Sequence, residues 1–507
     1  MCPSTLAAVA IFLILLASLC SLLRHPKHIK QDQNLPPGPR PLPIIGNLHT
    51  LAAGKKLPHR TLANLAKAYG PLMSIRLGLV PCVVVSSPET AELVLKTHDT
   101  VFASRPRVRT TEIISDGKGV TFAEYGAYWR NARKLCTLQL LSASKVEMFG
   151  GMRRVEVRKM VELVKEEAAE KKVVDVSEKV GEVGEKMTFR MVLGRDKDDR
   201  FDLKGIIHEI MALAGALNIA DFLPVLAPFD LQGLRGRSKA ISKRIEEALD
   251  KIIGEHEENK SIKRKEKMDF IDVMLSLLDN QNDDEQQQSY KMYKANMKAI
   301  LLDMIAGAFD TSKTIIEWCL SELLRHPKTM SRLQKELDNI VGKQRMVEET
   351  DLNKLTYLDM VIKESFRLHP VGALLLHESM EDIIINGYYI PKKSRVMINV
   401  WAIGRDPMVW SDNAEEFIPE RFARSEGVDL RGHDFRLLPF GSGRRGCPGM
   451  QLGLTNVQLI IAQLVHCFNW ELPDGMLPKD LDMTEQMNLV LHRANHLFAK
   501  PTYRLLC

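Results

Sequence analysis

A glycine-rich loop that leads into a cysteine is the part of the sequence best suited to chemistry. Residues Phe440–Gly449 read FGSGRRGCPG, and the apolar run Met450–Phe468 that follows predicts a helix. Four glycines in these ten residues let the backbone adopt positive φ and approach something flat or bulky. A cysteine at a helix amino terminus, with Arg444 and Arg445 just before it, lies in a positive field that favours the thiolate. The alternative, that Cys447 is a small buried apolar residue, explains neither the glycines nor the arginines.

A second candidate region is the longest helical pattern in the sequence. It covers residues 292–325, where Pro327 stops it, and one helix of that length extends roughly 50 Å. Within residues 298–313, flanked by a lysine at either end, its only charges are Asp303 and Asp310. An apolar helix through a core needs a reason to carry acids, because burying a charge is costly.

Composition excludes several classes of protein. The 507 residues are 45% hydrophobic and 26% charged, which is ordinary for a globular protein and excludes a disordered, collagenous or multi-span membrane chain. The 70 basic against 64 acidic residues leave a net charge of +6, far from the concentrated basic field of a nucleic-acid binder. The eight cysteines form no CxxC pair, which indicates reduced thiols rather than a zinc ribbon or a disulfide scaffold.

The amino-terminal residues predict a membrane anchor over residues 1–23. Leu6–Leu23 is an uninterrupted run of apolar or small residues, at the short end of what spans a bilayer. No Lys or Arg precedes it, whereas Arg24, Lys27 and Lys30 follow, so the positive-inside rule keeps the rest of the chain in the cytosol. A cleaved secretory signal is the alternative, but such a signal usually has a basic residue ahead of its apolar core.

Residues 24–50 are predicted to be a basic and proline-rich hinge. The stretch Leu35–Pro43 reads LPPGPRPLP, and prolines at this density fix φ, remove donors and force an extended path. An ordinary linker or a polyproline ligand would have a similar composition. Between an anchor and a globular body, this segment is expected to orient the body on the bilayer. Beyond it the sequence is mostly helical, with short β-rich runs at Leu72–Leu77, Cys82–Ser86, Ile383–Ile390 and Val396–Val400.

The cysteine loop resembles the haem-binding signature of the cytochrome P450 family. That signature, Phe-x-x-Gly-x-Arg-x-Cys-x-Gly, is met in full by Phe440, Gly443, Arg445, Cys447 and Gly449. The resemblance implies the cytochrome P450 fold, which is mostly α with small β sheets, preceded here by the transmembrane helix. The implied cofactor is haem b, with Cys447 as the axial thiolate ligand of the iron.

Two further signatures occur in the order and spacing of that family. Glu364–Arg367 matches its Glu-x-x-Arg helix, and Pro419–Phe422 matches the Pro-x-Arg-Phe element that follows. The resemblance implies that Arg421 joins the first pair in a buried structural triad. It covers essentially the whole chain, and residues 51–507 are expected to form the haem-thiolate catalytic domain.

Several segments resemble a particular group of microsomal plant enzymes within the family. Three segments are similar in sequence to the plant clan that contains the 71-type enzymes, namely Pro36–Gly46, Phe417–Phe422 and His492–Leu497. Within that clan, Ala306–Ser312 and Glu378–Tyr388 are most similar to the 736-type branch.

The resemblance also implies which residues contact the cofactor. Arg445 is expected to pair with a haem propionate, for which a planar guanidinium is suited. Trp129 and Arg133 match the family's Trp-x-x-x-Arg propionate contacts, and their spacing of four places both on one helix face. A surface ion pair is the alternative for Arg133. Phe440, Gly441 and His377 complete the predicted set, although the proline that clan members carry before that basic residue is missing here.

Asp310 and Thr311 are the predicted catalytic residues. They match the family's oxygen-binding element, (Ala/Gly)-Gly-x-(Asp/Glu)-Thr-(Thr/Ser), in which Ala308 replaces the usual glycine. In that family a hydroxyl beside a carboxylate holds and relays the protons that O–O cleavage needs. The alternative for Thr311 is a mid-helix threonine whose hydroxyl binds the preceding turn.

Three functions are compatible with this resemblance. The first is monooxygenation of a lipophilic plant specialised metabolite, such as a terpenoid, a phenolic or another aromatic compound. The second is a reaction on the same fold without net oxygen insertion, such as aldoxime dehydration. The third, a haem sensor without turnover, leaves the Asp310–Thr311 pair unexplained.

The resemblance further implies partners and a location. NADPH–cytochrome P450 reductase is the expected electron donor, with cytochrome b5 as an additional partner, and membrane lipid is expected to contact the chain. No nucleic-acid partner is expected. The predicted location is the endoplasmic reticulum membrane, spanned once, with the catalytic domain facing the cytosol.

Overall fold

A computed structural model of the chain describes residues 34–52, 57–196, 200–259, 268–280, 292–424 and 427–506. They divide into two units. The sheet unit consists of the described residues of Met1–Pro106, Asn218–Gln232 and Leu374–Ile403, and the helical unit of those of Arg107–Leu217, Gly233–Ala373 and Gly404–Cys507. The predicted anchor over residues 1–23 and the first part of the predicted hinge lie outside the described residues. Among the residues that are described, no helix is long and apolar enough to cross a bilayer.

Helices dominate the described structure, as the sequence predicts. In chain order they are α1 (Leu48–Ala52), α2 (Pro58–Tyr69), α3 (Pro88–Glu92), α4 (Arg109–Ser115), α5 (Ala127–Leu135), α6 (Ala143–Met148), α7 (Gly150–Ala169), α8 (Val176–Leu193), α9 (Leu203–Gly215), α10 (Leu234–Asn259), α11 (Phe270–Asn280), α12 (Lys294–Phe309), α13 (Thr311–Arg325), α14 (Pro327–Ile340), α15 (Thr356–Leu368), α16 (Val400–Ile403), α17 (Pro407–Trp410), α18 (Arg421–Arg424) and α19 (Met450–Cys467). Short π-helical and 3-10 turns lie at Leu93–Thr97, Cys136–Leu140, Ile219–Asp221, Pro224–Phe229, Glu349–Lys354, Gly443–Arg445, Pro473–Gly475 and Pro478–Asp480.

The strands are short and form small sheets. They are β1 (Leu72–Leu77), β2 (Val80–Val85), β3 (Val174–Asp175), β4 (Leu374–Glu378), β5 (Ile383–Ile385), β6 (Tyr388–Ile390), β7 (Arg395–Asn399), β8 (Phe468–Glu471), β9 (Glu485–Met487), β10 (Leu491–Arg493) and β11 (Phe498–Tyr503). In the sheet unit the order is β1-β2-β7-β4, with β2 and β7 parallel and the other pairs antiparallel. In the helical unit, β3, β11 and β8 form one antiparallel sheet, and β9 and β10 form a hairpin.

The β-rich run Ile383–Ile390 is a hairpin rather than one strand. Its two strands, β5 and β6, are antiparallel and joined by Asn386 and Gly387, which have φ of 50° and 78°. Asn-Gly at positive φ is the preferred pair for a two-residue hairpin turn. The other predicted runs are confirmed, with strand ends shifted by one or two residues or not at all.

The helical unit is built around α13. Every residue from Thr314 to Leu324 in this helix is buried, because α8, α14, α15 and α19 pack around it. Trp318 and Leu323 are fully buried, and Leu323 joins the main apolar core. The described cysteines of both units are free thiols, as their spacing predicts.

The long helix predicted over residues 292–325 is interrupted at Asp310. The structure has two helices here, α12 and α13, and Asp310 between them has φ of −103° and ψ of −23°. The Thr311 hydroxyl donates to the carbonyl oxygen of Gly307 at 2.7 Å. A side chain that binds the carbonyl four residues earlier competes with the backbone ladder and bends helices, so the prediction of a single continuous helix was wrong.

A buried charged network ties α15 to the chain that leads toward the cysteine loop. Glu364 and Arg367, which have fully buried side chains, form two hydrogen bonds of 2.7 and 2.8 Å. The same carboxylate accepts from Arg421 at 2.9 Å and from the backbone N–H of Ile418 at 2.7 Å. The Arg367 guanidinium also donates to backbone carbonyls of residues 404, 414 and 416. The triad that the sequence predicts is therefore present.

We expect Arg421→Ala to lower the free energy of unfolding by about 3 kcal/mol, because it removes a cation from an otherwise buried carboxylate. Arg237 is a matched control, since it bonds to Glu209 at 2.8 Å but is about half exposed. Arg237→Ala should change stability by less than about 1 kcal/mol. Urea unfolding followed by circular dichroism measures both variants. Equal effects would show that the network does not stabilise the fold.

Candidate functional site

The cysteine loop is held by its own backbone. The N–H of Cys447 donates to the carbonyl oxygen of Phe440 at 2.8 Å, which closes the loop just before α19 begins. Gly441 and Gly443 have φ of 67° and 65°, in the region that favours glycine. The sequence prediction that this loop needs glycines for positive φ is confirmed at these two positions.

The thiol of Cys447 is solvent-accessible, yet closely packed protein lies around it. Burial raises the pKa of this thiol, while the backbone N–H of Gly449 and the charge of Arg133 act in the opposite direction. That Arg444 and Arg445 supply the field that favours the thiolate stays a prediction. Desolvation outweighs the nearby charge, and the cation that acts on the thiol comes from α5.

Arg445 is buried and makes a close aromatic contact. Its guanidinium carbon lies 4.1 Å from the ring centroid of Trp129. Its nitrogens donate to the carbonyl oxygens of Ala123 at 2.6 Å and of Val120 at 3.3 Å. The indole N–H of Trp129 donates to that same Val120 oxygen at 2.9 Å. Planar donors are thus concentrated beside the cysteine loop.

One face of α5 carries both of its predicted site residues. Trp129 stacks with Arg445, and Arg133, four residues later, donates to the carbonyl oxygen of Gly446. The predicted shared face is therefore confirmed. The structure brings both residues to the cysteine loop, where the backbone carbonyl of Gly446 immediately precedes Cys447.

The beginning of α13 also lies near the cysteine loop. A Cβ on Gly453 of α19 would lie 3.8 Å from the Phe440 ring and 4.0 Å from the Ser312 hydroxyl. Ser312 directly follows Thr311, so the predicted catalytic pair is on a helix that reaches the elements flanking Cys447. The Phe440 ring packs on Phe366 with a centroid distance of 5.2 Å.

Asp310 is buried and faces a histidine that sequence reasoning missed. Its Oδ1 lies 3.7 Å from Nε2 of His208 on α9, and the His208 side chain is 46% exposed. Burial would raise the pKa of Asp310, but His208, then His492 and Lys313, lower it below its ordinary value. No sequence signal connects residues about a hundred positions apart on different helices. The hydroxyl of neighbouring Thr311 binds Gly307, as the alternative reading of this threonine predicts.

His377 lies in the sheet unit, whereas the other predicted site residues lie in the helical unit. It is buried on β4, and its Nδ1 donates to the carbonyl oxygen of Phe102 at 2.8 Å. Its strand pairs with β7, where it lies opposite Val396. A contact with the cofactor therefore stays a prediction for this residue.

Comparison with known proteins agrees with the motifs and the fold. The sequence profile of the family described as Cytochrome P450 matches residues 36–498. The chain is 57% identical to cytochrome P450 CYP736A12 of Panax ginseng, over 94% of this chain and 95% of that protein. It is 40% identical to premnaspirodiene oxygenase of Hyoscyamus muticus, over 97% of each chain, and 40% identical to flavonoid 3'-monooxygenase of Arabidopsis thaliana, over 99% and 96%. Members of the matched family bind haem b through a cysteine thiolate. The chain therefore belongs to the cytochrome P450 family and is a cytochrome P450 monooxygenase.

Proposed function

We propose that this enzyme hydroxylates a lipophilic plant specialised metabolite, with O2 and with electrons from NADPH delivered by NADPH–cytochrome P450 reductase. The single observation that carries the proposal is that the cysteine loop lies near the start of α13, which begins with Thr311 directly after Asp310. Two relatives are named for oxygenation of premnaspirodiene and of a flavonoid, which supports a terpenoid or phenolic substrate. Cytochrome b5 is proposed as a second electron donor.

The residues around Cys447 fit a haem. Cys447 would hold the haem iron through its sulfur, and its thiol would lose its proton on binding. Arg445, which stacks on Trp129 of α5, and Arg133 of the same helix are suited to the two propionate carboxylates, because guanidinium donors pair with carboxylates in a planar geometry. When it is bound, haem supplies the redox chemistry that activates O2. Phe440, whose carbonyl oxygen accepts the N–H of Cys447, holds the loop that would carry the cofactor.

The role of the chain's own residues is to hold and move protons. The Asp310 carboxylate, with its lowered pKa, is ionised at neutral pH and accepts protons. The half-exposed His208 beside it connects this buried acid with solvent. The Thr311 hydroxyl donates to Gly307 and keeps its lone pairs, so it can accept a proton from one partner while donating to another.

We also propose that the enzyme is anchored in the endoplasmic reticulum membrane by residues 1–23, with the catalytic domain over residues 51–507 in the cytosol and residues 24–50 as the hinge. The apolar run Leu6–Leu23, followed by basic residues, supports this orientation. The sheet unit additionally exposes apolar side chains at Val225, Phe229 and Leu231. Such a local group of exposed apolar residues suits contact with lipid.

The experiment that tests the proposed function is a substrate screen. Microsomes containing this chain and the reductase are supplied with NADPH and terpenoid or phenolic candidates, and mass spectrometry detects products that gain one oxygen atom. Product that forms under nitrogen without NADPH would instead indicate aldoxime dehydration or a related reaction. Haem binding without product in either condition would favour a sensor.

We expect Cys447→Ser to abolish the red-shifted Soret band that the reduced CO complex of a thiolate-bound haem shows. Cys136 is the matched control, because burial raises the pKa of its thiol to about 12 and it lies one turn beyond Arg133. Cys136→Ser should retain the band. Retention of the band by Cys447→Ser would assign the ligand to another cysteine.

We expect Thr311→Ala to retain haem and substrate binding but to divert electrons. NADPH oxidation continues and hydrogen peroxide is released, while product per NADPH falls, because loss of a positioned proton donor typically costs about a hundredfold or more in productive rate. Thr311→Ser keeps the hydroxyl and is expected to stay close to the parent enzyme. Unchanged coupling in the alanine variant would exclude the proton-transfer role.

We expect deletion of Met1–Leu23 to weaken membrane association and to leave haem binding intact, because the signatures all lie outside the deleted segment. Adding Phe229→Asp should weaken the residual association further. Met408→Asp is the control, since Met408 is 93% exposed but lies in the helical unit. Flotation with microsomal lipid vesicles measures the effect. A natural protein that begins just after Leu23 would contradict the anchor.

A further inference from the structure

Asp303 is a partly buried acid to which the proposed function assigns no role. It lies on α12, two turns before Asp310, in a part of the helix that is otherwise apolar. Its Oδ2 accepts the backbone N–H groups of Val120 and Thr121, at 2.5 and 3.0 Å. Burial raises the pKa of Asp303, and these two N–H groups offset part of that rise. The carboxylate thus has a definite target, which is the backbone of one loop.

That loop also carries the carbonyl groups that hold Arg445 and Trp129. The carbonyl oxygen of Val120 accepts hydrogen bonds from the indole N–H of Trp129 and from one guanidinium nitrogen of Arg445. The carbonyl oxygen of Ala123 accepts a hydrogen bond from another guanidinium nitrogen of Arg445. Asp303 therefore accepts backbone N–H groups of the same segment whose carbonyl oxygens orient Arg445 and Trp129. We refer to Gly119–Ala123 as the bridging segment.

The fit between Asp303 and the bridging segment is close. A Cβ on Gly119 would lie 2.3 Å from Asp303 Oδ2 and 3.0 Å from its Cγ, well inside van der Waals contact. Only a residue without a side chain lets the backbone approach the carboxylate this closely. Just before the segment, the Tyr128 hydroxyl of α5 donates to the carbonyl oxygen of Lys118. Contacts with both α12 and α5 therefore hold this part of the chain.

We propose that Asp303 is a positioning residue for the cofactor, which acts through the bridging segment to hold Arg445 and Trp129 in the orientation that receives the haem propionates. The inference rests on the proposed role of Arg445 and Trp129 as propionate contacts. Since the carboxylate anchors two amides at once, the carbonyl groups that follow in the chain are fixed relative to α12. Preorganised donors bind a carboxylate more tightly because less motion is lost on binding.

This role makes a specific prediction about haem retention. Asp303→Leu should release the bridging segment, so amide hydrogen exchange at residues 118–123 should accelerate by roughly tenfold to a hundredfold. Haem transfer from the loaded enzyme to excess apomyoglobin should accelerate by a comparable factor. The red-shifted CO band should keep its position, because the thiolate ligand lies in a different loop.

Conservative and opposing variants distinguish positioning from a general loss of stability. Asp303→Asn keeps an oxygen that accepts the two amides and should restore most of the retention. Gly119→Ala should mimic Asp303→Leu, because its Cβ pushes the segment off the carboxylate. In an Asp303→Ala background, Gly119→Ala should add little, since the clash and the hydrogen bonds have both gone. Met297→Leu, a buried change on the same helix, is the control and should leave both rates unchanged.

The results that overturn the proposal differ from those that overturn the proposed function. Faster exchange with unchanged haem transfer would show that the segment does not position the cofactor, and unchanged exchange would show that Asp303 does not hold the segment. Loss of retention in proportion to loss of global unfolding stability, without rescue by Asp303→Asn, would assign Asp303 to general stability. None of these measurements needs a substrate, so they stay valid if the substrate screen fails. A parent enzyme that lacks the red-shifted CO band would contradict the proposed function itself.

Discussion

The position of the cysteine loop depends on one buried ion pair, that of Glu364 with Arg367. Both side chains are fully buried, so every polar atom must find its partner inside the protein. The guanidinium satisfies this requirement with carbonyl groups of the chain that leads toward the loop. Phe366, which lies between Glu364 and Arg367 in the sequence, packs on the ring of Phe440, and the Phe440 carbonyl oxygen accepts the N–H of Cys447. The burial of the ion pair on α15 thereby helps to fix the position of Cys447.

Asp303 and Asp310, seven residues apart in the sequence, illustrate how neighbouring groups set the pKa of a desolvated acid. Both are desolvated, which alone would raise the pKa of either carboxyl group. Asp303 faces neutral backbone N–H groups, and its pKa stays raised. Asp310 faces His208, with His492 and Lys313 nearby, and its pKa falls below the ordinary value. The partners, rather than burial alone, therefore decide the direction of each shift in pKa.

Local patterns predicted the chemistry of the cysteine loop better than its electrostatics. The glycines, the following helix and the shared face of Trp129 and Arg133 are properties of short stretches, and all three are confirmed. The influence of Arg133 on Cys447 could not be predicted, because adjacency in sequence says nothing of which distant side chains come close. Arg445 turns to Trp129, and burial dominates the thiol.

The sequence by itself determined the helical class and the cysteine loop with its required glycines, because each depends on residue types at short spacings. Only the tertiary structure decided which groups face each other across helices. The break at Asp310 follows from a side chain that binds the preceding turn, and the neighbour of Asp310 is His208, which comes from another helix. The contacts of Asp303 with the bridging segment likewise join positions more than 180 residues apart. Such pairings depend on packing of the whole chain, since hydrogen bonds between distant segments form only where the fold brings their atoms within about 3 Å.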